Sequence, residues 1–184
     1  MLETKKYKNI YLISNDCSAS EKSFDLPEDS NNNLLVLFNH CYPLRYQKIK
    51  DYPNKILFLR SCAKKPYGYH GAKEYIEYIE LFKKVYFTAT TNNSDFPELT
   101  KLCPTYDIIK IDGIPYFANK NYPTQHPTSG FVAFHYISEN YQFDEITLVN
   151  FNGGGSHNGI PQWYQHDYVF EQQFYKQQSS IQRI

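Results

Sequence analysis

The chain has 184 residues, which suits one domain spanning residues 1–184 with a buried core of its own. Its 19 lysines and arginines balance its 19 aspartates and glutamates, so no overall positive charge attracts nucleic acid. No segment approaches the roughly 20 consecutive apolar residues that a membrane-spanning helix needs.

The cysteines and the N-terminal segment indicate a cytoplasmic protein. No two of the four cysteines have the CxxC spacing of a zinc site or a redox pair, so we expect reduced thiols. The first residues, MLETKKYKNIYLIS, lack the apolar length of a signal peptide.

Six short apolar runs, each followed by polar and turn-like sequence, are typical of buried strands. Their apolar residues are continuous rather than alternating, as in strands that are covered on both faces. These runs are Asn9–Ser14, Leu34–Asn39, Lys55–Arg60, Val85–Thr90, Asp107–Asp112 and Glu145–Phe151.

Three helical patterns complete the predicted elements. They cover His70–Lys84, Ser129–Asn140 and Asp167–Gln178. Strands that alternate with helices predict an α/β fold, a Rossmann-like domain with a mostly parallel sheet flanked by helices. The segments Asn92–Asp107 and Gly113–Pro127 look irregular, and one of them is a candidate lid.

Polar residues follow three of the predicted strands, where ligands bind in parallel α/β sheets. Asn15 and Ser18 follow the first strand, Asn39 ends the second, and Asn152 and Gly153 follow the last. An asparagine amide suits a base edge, a ribose or a phosphate, although asparagine also simply favours turns. Three at one edge favour a nucleotide site.

The start of the second helix is a further candidate. Thr128 or Ser129 can cap it, and the amides of its first turn then bind anions without a cationic side chain. Gly130 would let a phosphate or ribose approach the backbone closely. The alternative is an ordinary helix cap. Neither a Walker motif nor GxGxxG follows the first strand, which disfavours ATP-type and dinucleotide sites.

In chain order, these pieces resemble the CMP-sugar-dependent sialyltransferases of the animal and bacterial types. SNDCS resembles their first-strand turn through Asn15 and Ser18, and LFN resembles the end of their second strand through Asn39. The segment Pro127–Gly153 is similar to the small sialylmotif, with the pair Asp144-Glu145 as its acidic residues. Serine at position 14 replaces the family's glycine, and the small motif contains no cysteine.

Two histidines complete the resemblance. His157 takes the place of the third motif, and HDYVFE, which runs from His166 to Glu171, resembles the very small motif. The resemblance implies the sialyltransferase-type GT-A variant of the fold, with His166 and His157 catalytic and Glu171 supporting them. It also implies an inverting, metal-independent transferase without a cofactor, which moves sialic acid from a CMP-sugar to a saccharide or glycolipid in bacterial lipooligosaccharide or capsule synthesis.

The chemistry of the residues gives the two histidines different roles. Sugar transfer needs a base for the acceptor hydroxyl and a group that stabilises the leaving phosphate. His166 begins a predicted helix, where the dipole disfavours the charged imidazolium, although Asp167 opposes this. His157, on a glycine-rich loop, can donate to a phosphate oxygen. If His166 is not the base, His157 or His126 is the next candidate. The plain alternative is that both His157 and His166 merely lie on a polar loop.

Three other functions remain open from the sequence. One is transfer from CMP-Kdo, which is chemically close to CMP-sialic acid. Another is a non-catalytic relative that binds a nucleotide or a glycan. The third is a metal-dependent hydrolase with His157, His166 and Asp167 as ligands, but the chain has no HExxH or DxD-like partner. A lipid-linked acceptor would bring the protein to the cytoplasmic face of the membrane.

Overall fold

The structure, a computed structural model, describes residues 5–14, 25–38, 49–60, 80–82, 84–89, 107–123, 126–151, 156–157, 160–161, 166–179 and 181–183. Seven strands of these segments form one parallel sheet. They are β1 (Lys6–Ile13), β2 (Asn33–Phe38), β3 (Lys55–Arg60), β4 (Lys84–Ala89), β5 (Asp107–Lys110), β6 (Gln142–Val149) and β9 (Ile181–Arg183). Two short strands, β7 (Ser156–His157) and β8 (Ile160–Pro161), pair antiparallel in a separate two-stranded sheet.

The strand order is β5-β4-β3-β2-β1-β6-β9, and every neighbouring pair is parallel. The chain adds β2 to β5 on one side of β1 and then crosses to the other side for β6. Leu12 of β1 therefore pairs with Val36 of β2 and with Leu148 of β6. This reversal places a topological switch point between β1 and β6, as in Rossmann-like folds.

The two faces of the sheet build two layers of core, because successive strand residues point to opposite faces. Leu35 and Leu37 of β2 belong to one layer, and Leu34 and Val36 belong to the other. All six residues of β2 are buried. The continuous apolar runs of the sequence are therefore explained by burial on both faces.

Within the described segments, three helices pack on the Leu34 face. They are α1 (Pro115–Ala118), α2 (Ser129–Asn140) and α3 (Tyr168–Gln177), and a 3-10 turn (Ile111–Gly113) precedes α1. Both α2 and α3 run against the strands, and each begins at a capping side chain, Thr128 for α2 and Asp167 for α3. In the segments that are described, no helix is long and apolar enough to cross a membrane.

The parallel α/β sheet is confirmed, and the helix Ser129–Asn140 is observed with its predicted ends. The predicted strand Asp107–Asp112 stops at Lys110, because a 3-10 turn follows. Lys84, predicted as the last residue of a helix, instead begins β4. Most of that helix, residues 92–106 of the first candidate lid and all four cysteines lie outside the described residues. The second candidate segment, Gly113–Pro127, contains the short helix α1 and is not irregular throughout.

Lys55, the first residue of β3, is a lysine with only 7% of its surface exposed. Its Nζ donates to the carbonyl oxygens of Ile49 at 3.1 Å and Tyr52 at 3.0 Å, and also to that of Lys50. A buried ammonium group is tolerated only where its donors are satisfied. The side chain therefore joins the turn at residues 49–52 to the start of β3.

We expect Lys55→Met to lower the free energy of unfolding by about 2–4 kcal/mol, because three carbonyl groups lose a charged donor. Urea denaturation measures this difference. Lys84→Met is the control: its Nζ lies 3.6 Å from Asp107 in an exposed ion pair, and exposed pairs contribute under about 1 kcal/mol. Equal losses in the two variants would contradict the role given to Lys55.

Candidate functional site

The candidate site lies at the carboxyl ends of β1 and β6. The amide of Ser14 donates to the carbonyl oxygen of Val149 at 3.0 Å, so the two strands stay paired to their ends. The first turn of α2 reaches the same edge, because Gly130 contacts the ring of Phe151 just beyond β6. The switch point and a helix N-terminus thus lie side by side, the position where ligands bind in such sheets.

Asn150, directly after β6, has the left-handed backbone conformation, with φ of 59°. Asparagine adopts this conformation more readily than most residues, and here it turns the chain out of the sheet. From the sequence, Asn152 was the expected site residue at this strand end, and the buried Asn150 was not. The sequence feature that could have identified Asn150 is an asparagine directly after an apolar run.

Gly130 allows a close approach, but the group that approaches is part of the protein. A Cβ atom at Gly130 would lie 2.5 Å from Cε1 and 2.9 Å from Cζ of Phe151. Phe151 is itself held by Phe38 and Tyr175, with ring centroids 6.1 Å and 5.9 Å away. The missing side chain at Gly130 is therefore explained by packing, without a bound phosphate.

Glu171 of α3 is a buried carboxylate, 4% exposed, that reaches the start of α2. Its Oε1 accepts from the amide of Thr128 at 2.8 Å and from the hydroxyl of Tyr122 at 2.8 Å. Its Oε2 accepts from the hydroxyl of Thr128 at 2.6 Å. The Thr128 hydroxyl in turn accepts from the amide of Phe131 at 3.0 Å. The anion at the Thr128 amide is thus a side chain of the protein.

Burial raises the pKa of Glu171, because a desolvated carboxylate loses its hydration. The hydrogen bonds from Thr128 and Tyr122 oppose this rise in pKa, and the nearby charge of Asp167 adds to it. The carboxyl group is therefore both poorly solvated and held by three donors, which fixes its position between the two helices.

His166 precedes α3 and is half-buried. Its Nδ1 lies 2.5 Å from the carbonyl oxygen of His126. A carbonyl oxygen only accepts, so Nδ1 carries the hydrogen and Nε2 is the basic nitrogen of the neutral ring. The arrangement can therefore accept a proton at Nε2 while the backbone holds the opposite side of the ring.

Asp167 has a structural task beside His166. Its carboxylate accepts from the amide of Phe170 at 2.9 Å and so caps α3. Its own amide donates to the hydroxyl of Tyr122 at 3.3 Å. Tyr122 had no part in the sequence analysis, and His126 entered only as a substitute base, whereas here its carbonyl group makes the contact.

The structure brings together five of the predicted site residues, Thr128, Ser129, Gly130, His166 and Glu171. The backbone of His157 lies in β7, and its side chain lies outside the described part. The remaining predicted residues also lie outside it: Asn15, Ser18, Asn39, Asn152 and Gly153. Their role in nucleotide binding stays a prediction.

The acidic pair Asp144-Glu145 lies on the amino-terminal half of β6, away from this edge. Asp144 forms an exposed ion pair with Lys6, and Glu145 pairs in register with Asn9 of β1. Among the residues that are described, no group of three or more His, Cys, Asp and Glu is arranged to hold a metal ion. The alternative metal site includes His157, so it also stays a hypothesis.

No protein-family model matches the chain, and the comparison with curated proteins gives no match. The likeness to sialyltransferases therefore depends on the short motifs alone. What the structure defines is the coarser class, a Rossmann-like α/β fold in which seven strands of the described residues form one parallel sheet.

His135 lies on the buried side of α2 in an aromatic cluster. Its ring stacks on Tyr116 at 3.8 Å between centroids and lies 5.1 Å from the ring of Phe174. Its Nε2 is buried and has no hydrogen-bond partner among the described residues. Burial lowers the pKa of His135 from 6.5 to about 4, because the charged imidazolium has lost its hydration.

We expect Gly130→Ala to lower the free energy of unfolding by about 1–3 kcal/mol, because its methyl group overlaps the ring of Phe151. Thermal and urea unfolding measure the loss. In a Phe151→Leu background the same substitution should cost at least about 1 kcal/mol less, which a double-mutant cycle detects.

Gly113→Ala is the matched control for this overlap. A Cβ atom there would meet only the Cβ of Lys110, at an ordinary 3.7 Å. Its effect should stay within about 1 kcal/mol of zero. A loss at Gly130 that is unchanged in the Phe151→Leu background would show that the ring is not the cause.

The buried His135 predicts a loss of stability in acid. Its folded-state pKa of about 4 lies below 6.5, so its contribution is present above about pH 6.5 and is lost as pH falls toward 4. Between about pH 7 and pH 4 the natural protein should lose roughly 3 kcal/mol more than His135→Phe. Urea denaturation at a series of pH values measures this.

Glu171 changes the free energy of unfolding with pH in the opposite direction to His135, because its pKa is raised. Its contribution is present below its unfolded pKa of 4.5 and is lost as pH rises through the folded value. The natural protein and His135→Phe both contain Glu171, so its contribution cancels when their free energies of unfolding are compared. Parallel stability curves for the natural protein and His135→Phe would contradict the account of His135.

Proposed function

We propose that the protein is an inverting, metal-independent glycosyltransferase that moves a sugar from a CMP-sugar to a saccharide acceptor. One observation carries the proposal. Nδ1 of His166 lies 2.5 Å from the carbonyl oxygen of His126, so Nε2 is the basic nitrogen of the neutral ring, at the ligand-binding edge of a Rossmann-like sheet. Fixing one ring nitrogen so that the other acts as the base is how enzymes orient a catalytic histidine.

The position of the helix starts supports a nucleotide at the same edge. Both α2 and α3 point their N-termini there, where their dipoles favour a phosphate. The Thr128 amide already donates its hydrogen bond to the carboxylate of Glu171. The amide of Gly130 lies in the same first turn of α2, where amide groups have no carbonyl acceptor within the helix.

The transfer is a single displacement. The acceptor hydroxyl gives its proton to Nε2 of His166 as its oxygen forms a bond to the anomeric carbon. The bond from that carbon to the phosphate oxygen of CMP breaks, and CMP leaves with the electron pair. His157 donates a hydrogen bond to the phosphate as its charge develops. Attack from the opposite side inverts the configuration.

The donor sugar in this proposal is sialic acid, on the resemblance described above, and Kdo is the alternative. The acceptor is a bacterial surface saccharide or glycolipid, made at the cytoplasmic face of the membrane. A non-catalytic nucleotide- or glycan-binding relative is the second candidate, because Glu171 already fills one anion position at the start of α2.

We expect His166→Ala to lower turnover by about 10²–10⁴-fold and to leave CMP affinity nearly unchanged, because a base acts on the acceptor. His157→Ala should weaken both, because its phosphate contact exists before the transition state and strengthens in it. Calorimetry with CMP in the presence of a chelator, and transfer assays with CMP-sialic acid and CMP-Kdo, measure the two constants.

Lys84→Met, a change in an exposed ion pair on β4, is the control and should alter neither constant. Binding of CMP that depends on an added divalent ion would support the metal-dependent alternative. Binding without transfer or donor hydrolysis would favour the non-catalytic one. Transfer by His166→Ala at the natural rate would remove His166 from the role of base.

A further inference from the structure

Tyr122, in the loop before α2, connects this loop to the start of α3, which lies more than forty residues further along the chain. Its hydroxyl donates to Oε1 of Glu171 at 2.8 Å and accepts from the amide of Asp167 at 3.3 Å. Only 8% of the residue is exposed; its contact with Glu171 is buried, and its contact with the Asp167 amide is partly buried. The hydroxyl therefore sits between the carboxylate of α3 and the residue that follows His166.

The other end of this network reaches the same histidine. Glu171 also holds the amide and the hydroxyl of Thr128. Thr128 lies two residues after His126, whose carbonyl oxygen accepts from Nδ1 of His166. The Glu171 carboxylate therefore helps to fix both sides of the hydrogen bond between His166 and His126. It holds the His126 side through Thr128 and the His166 side through Tyr122.

We propose that Tyr122 is a positioning residue, which acts through Glu171 and Asp167 to hold the imidazole of His166 with its hydrogen on Nδ1. The proposal rests on the function proposed above, in which Nε2 accepts the proton. Loss of the hydroxyl leaves the amide of Asp167 without this acceptor. The His166 segment can then shift relative to the carbonyl group of His126, and the two tautomers of the ring mix.

Tyr122→Phe tests the proposal because it removes one oxygen and keeps the ring. That ring packs against Phe131 and Phe170, with centroids 5.3 Å and 5.4 Å away, so the fold is expected to survive. Two-bond ¹H–¹⁵N spectra of ¹⁵N-histidine-labelled protein report which nitrogen of His166 carries the hydrogen. The signals are assigned with His166→Ala.

We expect the Nδ1–H form of His166 to dominate the neutral ring in the natural protein and to fall in Tyr122→Phe. Turnover should fall about 10–10²-fold with KM within about twofold, because a misplaced base affects the chemical step. Glu171→Leu offers a second route, since it removes the acceptor of the Tyr122 hydroxyl and should shift the tautomer in the same direction.

Tyr86→Phe is the matched control, because it also removes a buried hydroxyl. Tyr86 Oη lies 2.6 Å from that of Tyr141, and Tyr141 follows the far end of α2, about 20 Å from Thr128 at 1.5 Å per residue. This variant loses a similar hydrogen bond and should change neither the tautomer nor turnover. An equal shift in Tyr86→Phe would overturn the positioning role and indicate a general loss of structure.

The two readouts distinguish failure of this inference from failure of the proposed function. If Tyr122→Phe keeps the natural spectrum of His166 while the natural protein transfers sugar, the positioning role is overturned and the proposed function stands. If the tautomer shifts but no protein transfers sugar, the positioning of His166 stands and the proposed transferase function fails.

Discussion

The arrangement of the site depends on the hydrogen bonds that the buried carboxylate of Glu171 accepts. A carboxylate in the interior loses its hydration and needs donors from the protein. Here the donors come from two other segments, Tyr122 and Thr128, so the position of Glu171 fixes α3, the start of α2 and the loop before it at once. Removing one donor leaves the charge poorly compensated, which couples the three segments energetically.

The parallel sheet decides where these segments meet. Helices that connect parallel strands run back against them, so α2 and α3 both begin at the carboxyl edge of the sheet. Two positive helix ends therefore lie near each other, and an anion near them is favoured. Glu171 supplies one such anion, and Asp167, the cap of α3, supplies the other.

The contact between these helices is mostly aromatic rather than aliphatic. Phe131, fully buried on α2, is surrounded by rings from three helices and the loop between them, most of them edge-on, and edge-on packing is favourable beyond burial alone. These rings belong to Tyr116, Phe117, Tyr122, His135, Phe170, Phe174 and Tyr175. Such packing leaves little room for movement at the start of α2, so the site is preorganised on a rigid base.

The sequence by itself determined the parallel α/β sheet, because strands buried on both faces must be continuously apolar. It also determined the limits of α2, where Thr128 supplies a local cap, and the start of α3 after His166. It failed at β9, because three residues carry too little periodicity to indicate a strand.

The identities of Thr128, Gly130 and Glu171 fit a ligand site and an internal contact equally well. Only the tertiary structure showed that Gly130 faces Phe151 and that Glu171 meets Thr128 and Tyr122. The physical reason is that a helix start offers its amides to whichever anion the fold brings near. The nearest anion here comes from a residue 43 positions further along the chain, a distance that no local pattern encodes.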